Sequence, residues 1–457
     1  MLAVVLSAVL AAPVVPLAVN AATLAPPPAT AAPAGAAARE LVVLVLVDAM
    51  RPDHLGAYGY ARPTSPTIDA LAASGRRFAR VYANAPWTRP STASFLTGLN
   101  ASRHRTETAK SKLPAGVPTL AARLKQAGWA TSAFCANGNG GSLAGLNRDF
   151  GLFEDPTNTY HKAVRGETYN GLPTGPFTVS RVLDHLRRSQ AQREFVFIFL
   201  VDPHDPYQAP PELERLFLGD FKGTIRRHAL WETKNHYPPD ERFSMMAVYD
   251  AGIRYADQAL GTFVQGLRDL GVYDHTTLLV AADHGEGFGE HGFYLHAHQF
   301  WDEVVRIPLV VHGPRIAPGV DGRLAQAVDV TATIAALTGA DATGLAGRSL
   351  LGDPTPGAEV ISEYNEFGIH RQAIVSERYK VVWQRPADAA WFDREVPSRD
   401  EFPSVSFDRD VVQAFDLAGD PGEQRDLGAA LPAEAQGLLA RLRQFVAGAP
   451  AGAAAAP

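Results

Sequence analysis

The chain is predicted to be an α/β protein: a mainly parallel sheet sandwiched by helices, with a smaller antiparallel subdomain at its C-terminal end. Three observations carry this. The runs LVVLVLV (41–47), EFVFIFLV (194–201) and TTLLVAA (276–282) are apolar without alternation, as strands buried on both faces are. Helical patterns separate such runs, and strand–helix alternation selects parallel strands joined by helical crossovers. Beyond about residue 359 the alternation stops, and AIVSERYKVVW and VVQAFDL read as antiparallel strands.

Taken in order, residues 1–21 carry no charge and end in Val19-Asn20-Ala21, a small-residue pattern that suits signal peptidase. They lack a basic n-region, and Pro13 and Pro16 interrupt them. A secretory signal, with export to a periplasmic or extracellular space, is the expected reading; a membrane anchor and a misassigned start are its alternatives. Residues 22–39 form an Ala/Pro linker too poor in large apolar side chains to pack, and the tail 447–457 is similar. Between them, 40–358 is expected to be the catalytic domain and 359–446 the subdomain.

Within 40–358 the expected elements are strand 41–47, helix 66–74 stopped by Gly75, helix 118–127, strand 129–135, helix 178–189 and strand 194–201. Helix 240–270, strand 276–282, strand 308–313 and helix 329–337 follow, and a terminal helix over 433–446 closes the subdomain. At 457 residues and 46% hydrophobic, the chain can bury one large core and a smaller one. Its 42 basic and 48 acidic residues give −6 with no long run of either sign, which argues against a nucleic-acid partner. The single cysteine, Cys135, excludes an intramolecular disulfide.

Three apolar strands run into polar clusters: Asp48, Arg51 and Asp53; Asp202, His204 and Asp205; Asp283, His284 and Glu286. Ligands of open α/β sheets bind beyond the carboxyl ends of strands, so parallel strands would gather all three clusters on one rim. Any one of the aspartates alone reads as a cap. Three together, two with histidines beside them, favour a divalent cation such as Mn²⁺, Zn²⁺ or Ca²⁺. The stretch APWTRPSTASFLTG (85–98) adds Thr88, which is either a helix cap or the atom that attacks a substrate. Ser91, with Pro90 ahead of it, is the more natural cap of a helix starting near there, which leaves Thr88 free for chemistry.

These segments resemble the sulfatases and the wider alkaline-phosphatase superfamily. VDAMRPDHLGAYGY (47–60) is similar to that family's first metal turn and PWTRPSTASFLTG (86–98) to its nucleophile signature. DPHDPY (202–207) is similar to its mid-chain histidine turn and ADHGEGFGEHG (282–292) to its second metal turn. HAHQFWDEVVRIPLVVHGP (296–314) and AFDLAGDPGEQRDL (414–427) are similar to its late segments. The resemblance implies metal ligation by Asp48, Asp283 and His284, a nucleophile at Thr88, and contact of His204 and His296 with the ester or leaving oxygen. This sequence departs from the sulfatase pattern in Ala49, where a second carboxylate is usual, in Thr92, where an arginine is usual, and in His284, where an asparagine is usual. Threonine also cannot become the formylglycine of ordinary sulfatases, because its methyl-bearing Cβ would oxidise to a ketone. Relatives with threonine there and Asp-His late ligands resemble phosphodiesterases, phosphonate monoester hydrolases and phosphoglycerol or phosphoethanolamine transferases.

The expected activity is therefore metal-dependent cleavage of a small anionic ester, a phosphate diester or phosphonate, through Thr88. A sulfuric ester hydrolase working without formylglycine, a transferase and a degenerate binding protein are the alternatives. One cation is expected; Asp202, His204 and His296 are the candidates for a second. Arg89 is read as an anion contact beside Thr88 or a surface arginine, and Asn137 as a polar contact at the same rim or part of a turn. His291 and His298 are weaker candidates, and His54 and His104 read as structural. Residues 208–237 read as a lid offering Lys222, Arg226 or Arg227 to an anion, or as a solvated insertion.

Overall fold

The computed structural model describes residues 39–156, 168–169, 172–229, 237–396, 399 and 402–449. The expected signal segment, most of the linker and the end of the tail lie outside these residues.

Among the described residues, the principal sheet has eight strands. From edge to edge they are Gly319–Gln326, Arg76–Tyr82, Arg306–His312, Thr276–Ala281, Glu40–Val47, Arg193–Leu200, Ala130–Cys135 and Leu152–Glu154. Glu40–Val47 lies at the centre, parallel to both neighbours, with Val47 opposite Leu200 and Leu46 opposite Ala281. Its residues 41–47 are all at most 1% exposed, so the unbroken apolar run matches a strand covered on both faces. Three strands that begin in register also end together, and Asp48, Asp202 and Asp283 leave the sheet on one rim.

Strand Arg306–His312 pairs antiparallel with both of its neighbours, Thr276–Ala281 and Arg76–Tyr82. An apolar run alone does not reveal this direction. The return from residue 281 to 306 contains only one pair of two-residue strands and the one-turn helix Asp302–Val305. Without a long helical crossover, a chain re-entering beside its predecessor runs the opposite way. Strand Arg76–Tyr82 (RRFARVY) escaped the sequence pattern because its arginines mask the buried Phe78, Val81 and Tyr82.

Helix Pro66–Ser74 falls on its predicted bounds. Helix Gly175–Arg188 starts three residues earlier than expected, capped by Thr174, whose side chain accepts from the Phe177 amide. Helix Pro239–Asp269 spans 31 residues, packs against helices Gly175–Arg188 and Pro211–Leu218, and buries Val248, Ile253, Leu260 and Phe263 in the main core. No helix among the described residues is long and apolar enough to cross a membrane.

The C-terminal region forms a separate antiparallel sheet, Val360–Glu366, Ile369–Val375, Tyr379–Arg385 and Val411–Asp416. Side chains alternate across it. Ala373, Val375 and Val382 join Phe293, Phe300 and Val304 from the rim of the large sheet. Ile374, Val381 and Trp383 face helix Ala433–Ala447, where Leu438 and Leu442 are fully buried. Each such leucine contributes about 1.5–3 kcal/mol of burial. This arrangement seats the small sheet on the loop that carries His296.

Candidate active site

Asp48 follows the central strand directly, and its amide donates to Leu200 O at 2.8 Å. The chain then turns sharply. Ala49 adopts φ +58°, a left-handed pose costing about 1–2 kcal/mol for a non-glycine residue. The buried Tyr249 hydroxyl supports that pose, donating to Ala49 O at 2.7 Å and accepting from the Arg51 amide at 2.9 Å. The turn brings the Ala49 amide to Asp283 Oδ1 at 3.2 Å, while the His284 amide donates to the same oxygen at 3.0 Å. Asn137 Nδ2 donates to Asp48 Oδ2 at 2.8 Å.

One oxygen of each aspartate is thereby used. Asp48 Oδ1 and Asp283 Oδ2 are buried without a hydrogen-bond partner. His284 Nδ1 donates to Gly285 O at 2.9 Å, a partner that fixes the tautomer and leaves a lone pair on Nε2. That nitrogen lies 3.5 Å from Asp48 Oδ1 and 3.3 Å from Asp283 Oδ2, and all three side chains are 0% exposed. Burial and the like charge of Asp48 hold Asp283 well above the usual carboxylate range, and burial with His296 nearby holds His284 well below the usual imidazole range. Two orphaned carboxylate oxygens facing a bare imidazole nitrogen, all buried, form a donor set that lacks a positive charge. A divalent cation fits it, because oxygen and imidazole ligands at this mutual spacing are what such ions take.

Thr88 Oγ1 stands 3.2 Å from His284 Nε2 and is 3% exposed. Here the structure corrects the expected helix start. Helix Thr88–Thr97 begins at Thr88, with Trp87 at the cap position and no side-chain cap, so neither Ser91 nor Thr88 caps it. Pro90 fits the third helical position because first-turn amides have no intrahelical acceptor to lose. Ser91 instead donates its hydroxyl to Asp283 O at 2.5 Å, fastening the helix to the metal turn. His104, fully buried, faces Pro90 O at 3.1 Å and accepts from the Thr106 amide at 3.0 Å, and burial pushes its pKa down to about 3. Thr88 therefore enters the site on a helical first turn, where free amides and the helix dipole favour an anion.

His204 and His296 lie with ring centroids 5.1 Å apart, and His296 is 4.2 Å from His284. His204 Nδ1 donates to Asp205 O at 2.5 Å. Burial alone would lower His204, but Asp48, Glu286 and that carbonyl outweigh it, and its pKa is raised. His296 moves the other way, held well below the usual range by burial and by His204. Glu286, 0% exposed, places Oε1 3.2 Å from His296 Nδ1. The sequence placed Glu286 in the third rim cluster but gave it no partner.

Other candidates are engaged elsewhere. Arg89 is 5% exposed, so it is no surface arginine; its guanidinium donates to the carbonyls of Thr108 and Ser111 and to Asn139 Oδ1. Asp202 Oδ1 accepts from the Gly175 amide at 2.8 Å at the start of helix Gly175–Arg188, and burial raises its pKa to about 7. Among the described residues the carboxylate and imidazole cluster of metal-binding geometry is Asp48, Asp283 and His284, and Asp202 is not part of it. Arg227 pairs with both oxygens of Glu214 and Arg226 with Glu241, while Lys222 is exposed. The supposed lid contains helix Pro211–Leu218, whose Leu213 and Phe217 join the core; residues 230–236 lie outside the description. His291 stacks on Trp301 and bonds Glu303, His298 packs among Phe293 and Phe402, and His54 bonds Asp250.

The family model described as Sulfatase matches residues 40–340. Choline-sulfatase of Rhizobium meliloti is 26% identical over 419 residues, covering 79% of this chain and 77% of that protein. Arylsulfatase of Clostridium perfringens is 23% identical over 349 residues, covering 60% and 68%. Among solved structures, the phosphonate monoester hydrolase of Agrobacterium radiobacter superposes with a TM-score of 0.67 at 20% identity, covering 90% of this chain and 95% of that one.

Proposed function

Since the chain belongs to the sulfatase family and is an ester hydrolase of that family, we propose that it cleaves phosphate diesters or phosphonate esters with the hydroxyl of Thr88 as nucleophile. The observation that carries this reading is the placement of Thr88 Oγ1 3.2 Å from His284 Nε2, against the Asp48–Asp283–His284 donor set. A divalent cation held by those three residues supplies the charge that activates the hydroxyl and offsets the charge of the ester oxygens.

The chain's own residues perform the rest. Helix Thr88–Thr97 presents Thr88 and the first-turn amides to the anion. Thr88 gives its hydroxyl proton to the bare Nε2 of His296 as Oγ1 bonds to phosphorus and the ester P–O bond breaks, and the departing oxygen takes a proton from His204. His204 bonds the Asp205 carbonyl through Nδ1, which leaves Nε2 for this transfer. Water then attacks phosphorus and breaks the P–Oγ1 bond, its proton passing to His204 while His296 returns a proton to Thr88.

The resemblance to choline-sulfatase and arylsulfatase favours a second reading, hydrolysis of a sulfuric ester by the same unmodified threonine. Both readings are tested with aryl phosphodiesters, phosphonates, phosphomonoesters and sulfates, using metal-free and metal-reloaded protein and Thr88→Ala. Turnover of phosphodiesters or phosphonates that requires metal and Thr88 supports the first. A preference for sulfates supports the second, and turnover kept by Thr88→Ala removes both.

A further inference from the structure

We infer that Glu286 is a positioning residue that locks His296 into one tautomer, with the proton on Nδ1 and Nε2 turned toward the reacting ester. The inference rests on the hydrolase reading for its kinetic consequence but not for its geometry.

Glu286 is fixed before it meets the histidine. Its amide donates to Glu303 O at 2.8 Å, and its carbonyl accepts from Arg51 Nη1 at 2.8 Å. Arg51 is itself clamped by Asp53 and Glu290. The preceding Gly285 admits no side chain, because a Cβ there would lie 2.1 Å from Glu303 O. The side chain thus enters the buried interior with Oε1 on His296 Nδ1, while Oε2 is buried with no hydrogen-bond partner. A carboxylate at that depth is costly unless a cationic or donor group faces it. Burial holds the Glu286 carboxyl well above its usual range, the charges of His204 and Arg51 oppose that, His296 Nδ1 lies at hydrogen-bond distance from Oε1, and a cation in the neighbouring donor set would add favourable charge.

The histidine is held from its other side as well. Leu295 and Ala297 flank it at φ +65° and φ +120°, two left-handed poses in three residues. The Ala297 amide donates to Pro86 O at 3.0 Å, two residues ahead of Thr88. Strained backbone persists only where surrounding contacts over-determine it. Here those contacts aim one ring between the Thr88 helix and the Glu286 turn. A carboxylate on the remote nitrogen then decides which nitrogen carries the proton, as a supporting carboxylate does for a catalytic imidazole elsewhere. A proton taken at Nε2 and later returned leaves Nδ1–H bonded to Glu286 throughout.

The test uses full-length protein labelled with ¹⁵N-histidine and loaded with diamagnetic Zn²⁺, and compares wild type, Glu286→Ala and Glu286→Gln. The His296 signals, identified by their loss in His296→Asn, are expected to report a protonated Nδ1 and a bare Nε2. Glu286→Gln keeps an acceptor and retains that tautomer, whereas Glu286→Ala loses it. In parallel, Glu286→Ala is expected to lower kcat by roughly 10- to 100-fold with little change in KM or Zn²⁺ affinity, and Glu286→Gln to lose less. A bare Nδ1 in wild type, unchanged His296 signals in Glu286→Ala, or equal impairment of the two variants overturns the inference. A loss of Zn²⁺ affinity matching the loss of kcat does so too, since it marks a general structural role. Turnover retained by Thr88→Ala overturns the hydrolase reading alone, and the tautomer measurement still stands.

Discussion

Asn137 Nδ2 donates a 2.8 Å hydrogen bond to Asp48 Oδ2, and the other oxygen of Asp48 is buried without a partner. The amide thus selects which lone pairs of Asp48 remain for a ligand. Asn137 can do so because it caps a short 3₁₀ turn just past strand Ala130–Cys135, with its own Oδ1 accepting from the Asn139 amide at 2.9 Å. The sequence offered Asn137 as a turn residue or a polar contact at the rim; the side chain caps the turn and also contacts Asp48. Asn137→Ala frees Asp48 to rotate. It is expected to weaken divalent-cation binding by roughly 10- to 100-fold, measured by calorimetric titration, with kcat at saturating metal much less affected.

Cation binding is expected to stabilise the fold, because it supplies the charge that Asp48 and Asp283 lack. With free cation at about a hundred times Kd, mass action gives about 2.7 kcal/mol. Adding Mn²⁺, Zn²⁺ or Ca²⁺ to chelated protein therefore raises Tm. Asp283→Asn, which removes one ligand and the like-charge repulsion together, raises the Tm of the metal-free protein and abolishes the response to metal. Differential scanning calorimetry of both proteins reads both effects.

His104 ties the helix of Thr88 to acid stability. Burial keeps its folded-state pKa near about 3, so the folded chain refuses a proton that the unfolded chain accepts near its ordinary value of 6.5. This contribution is complete above that ordinary value and is lost as pH falls toward 3, at a rate approaching about 1.4 kcal/mol per pH unit. In chelated protein, His104→Gln is expected to cost stability near neutral pH and progressively less on acidification. Urea midpoints of the two proteins at about pH 7 and about pH 5 measure the difference.

The elements legible in the sequence were those whose local pattern coincides with their environment. Residues 41–47 are apolar throughout because both faces are covered, and Pro66–Ser74 carries its own start and stop signals. Strand direction was not legible. PLVVHG reads the same in either sense, and only the lack of a long crossover between 281 and 306 reverses it. The start of helix Thr88–Thr97 was missed because proline and serine favour a start at 90–91. Tertiary bonds from Ser91 to Asp283 and from His104 to Pro90 override that local preference. Asp48, Asp283 and His284 could be picked out because they end neighbouring strands. Asn139, a partner of Arg89, lies fifty residues on, and His296, the partner of Glu286, is brought back by a loop whose course no local spacing records.

The most direct test is anomalous diffraction from crystals of the full-length protein grown with excess Mn²⁺. One strong manganese peak is expected within bonding distance of Asp48 Oδ1, Asp283 Oδ2 and His284 Nε2, and within reach of Thr88 Oγ1. A fully loaded crystal with no peak there, or with manganese bound beyond reach of Thr88, would contradict that expectation.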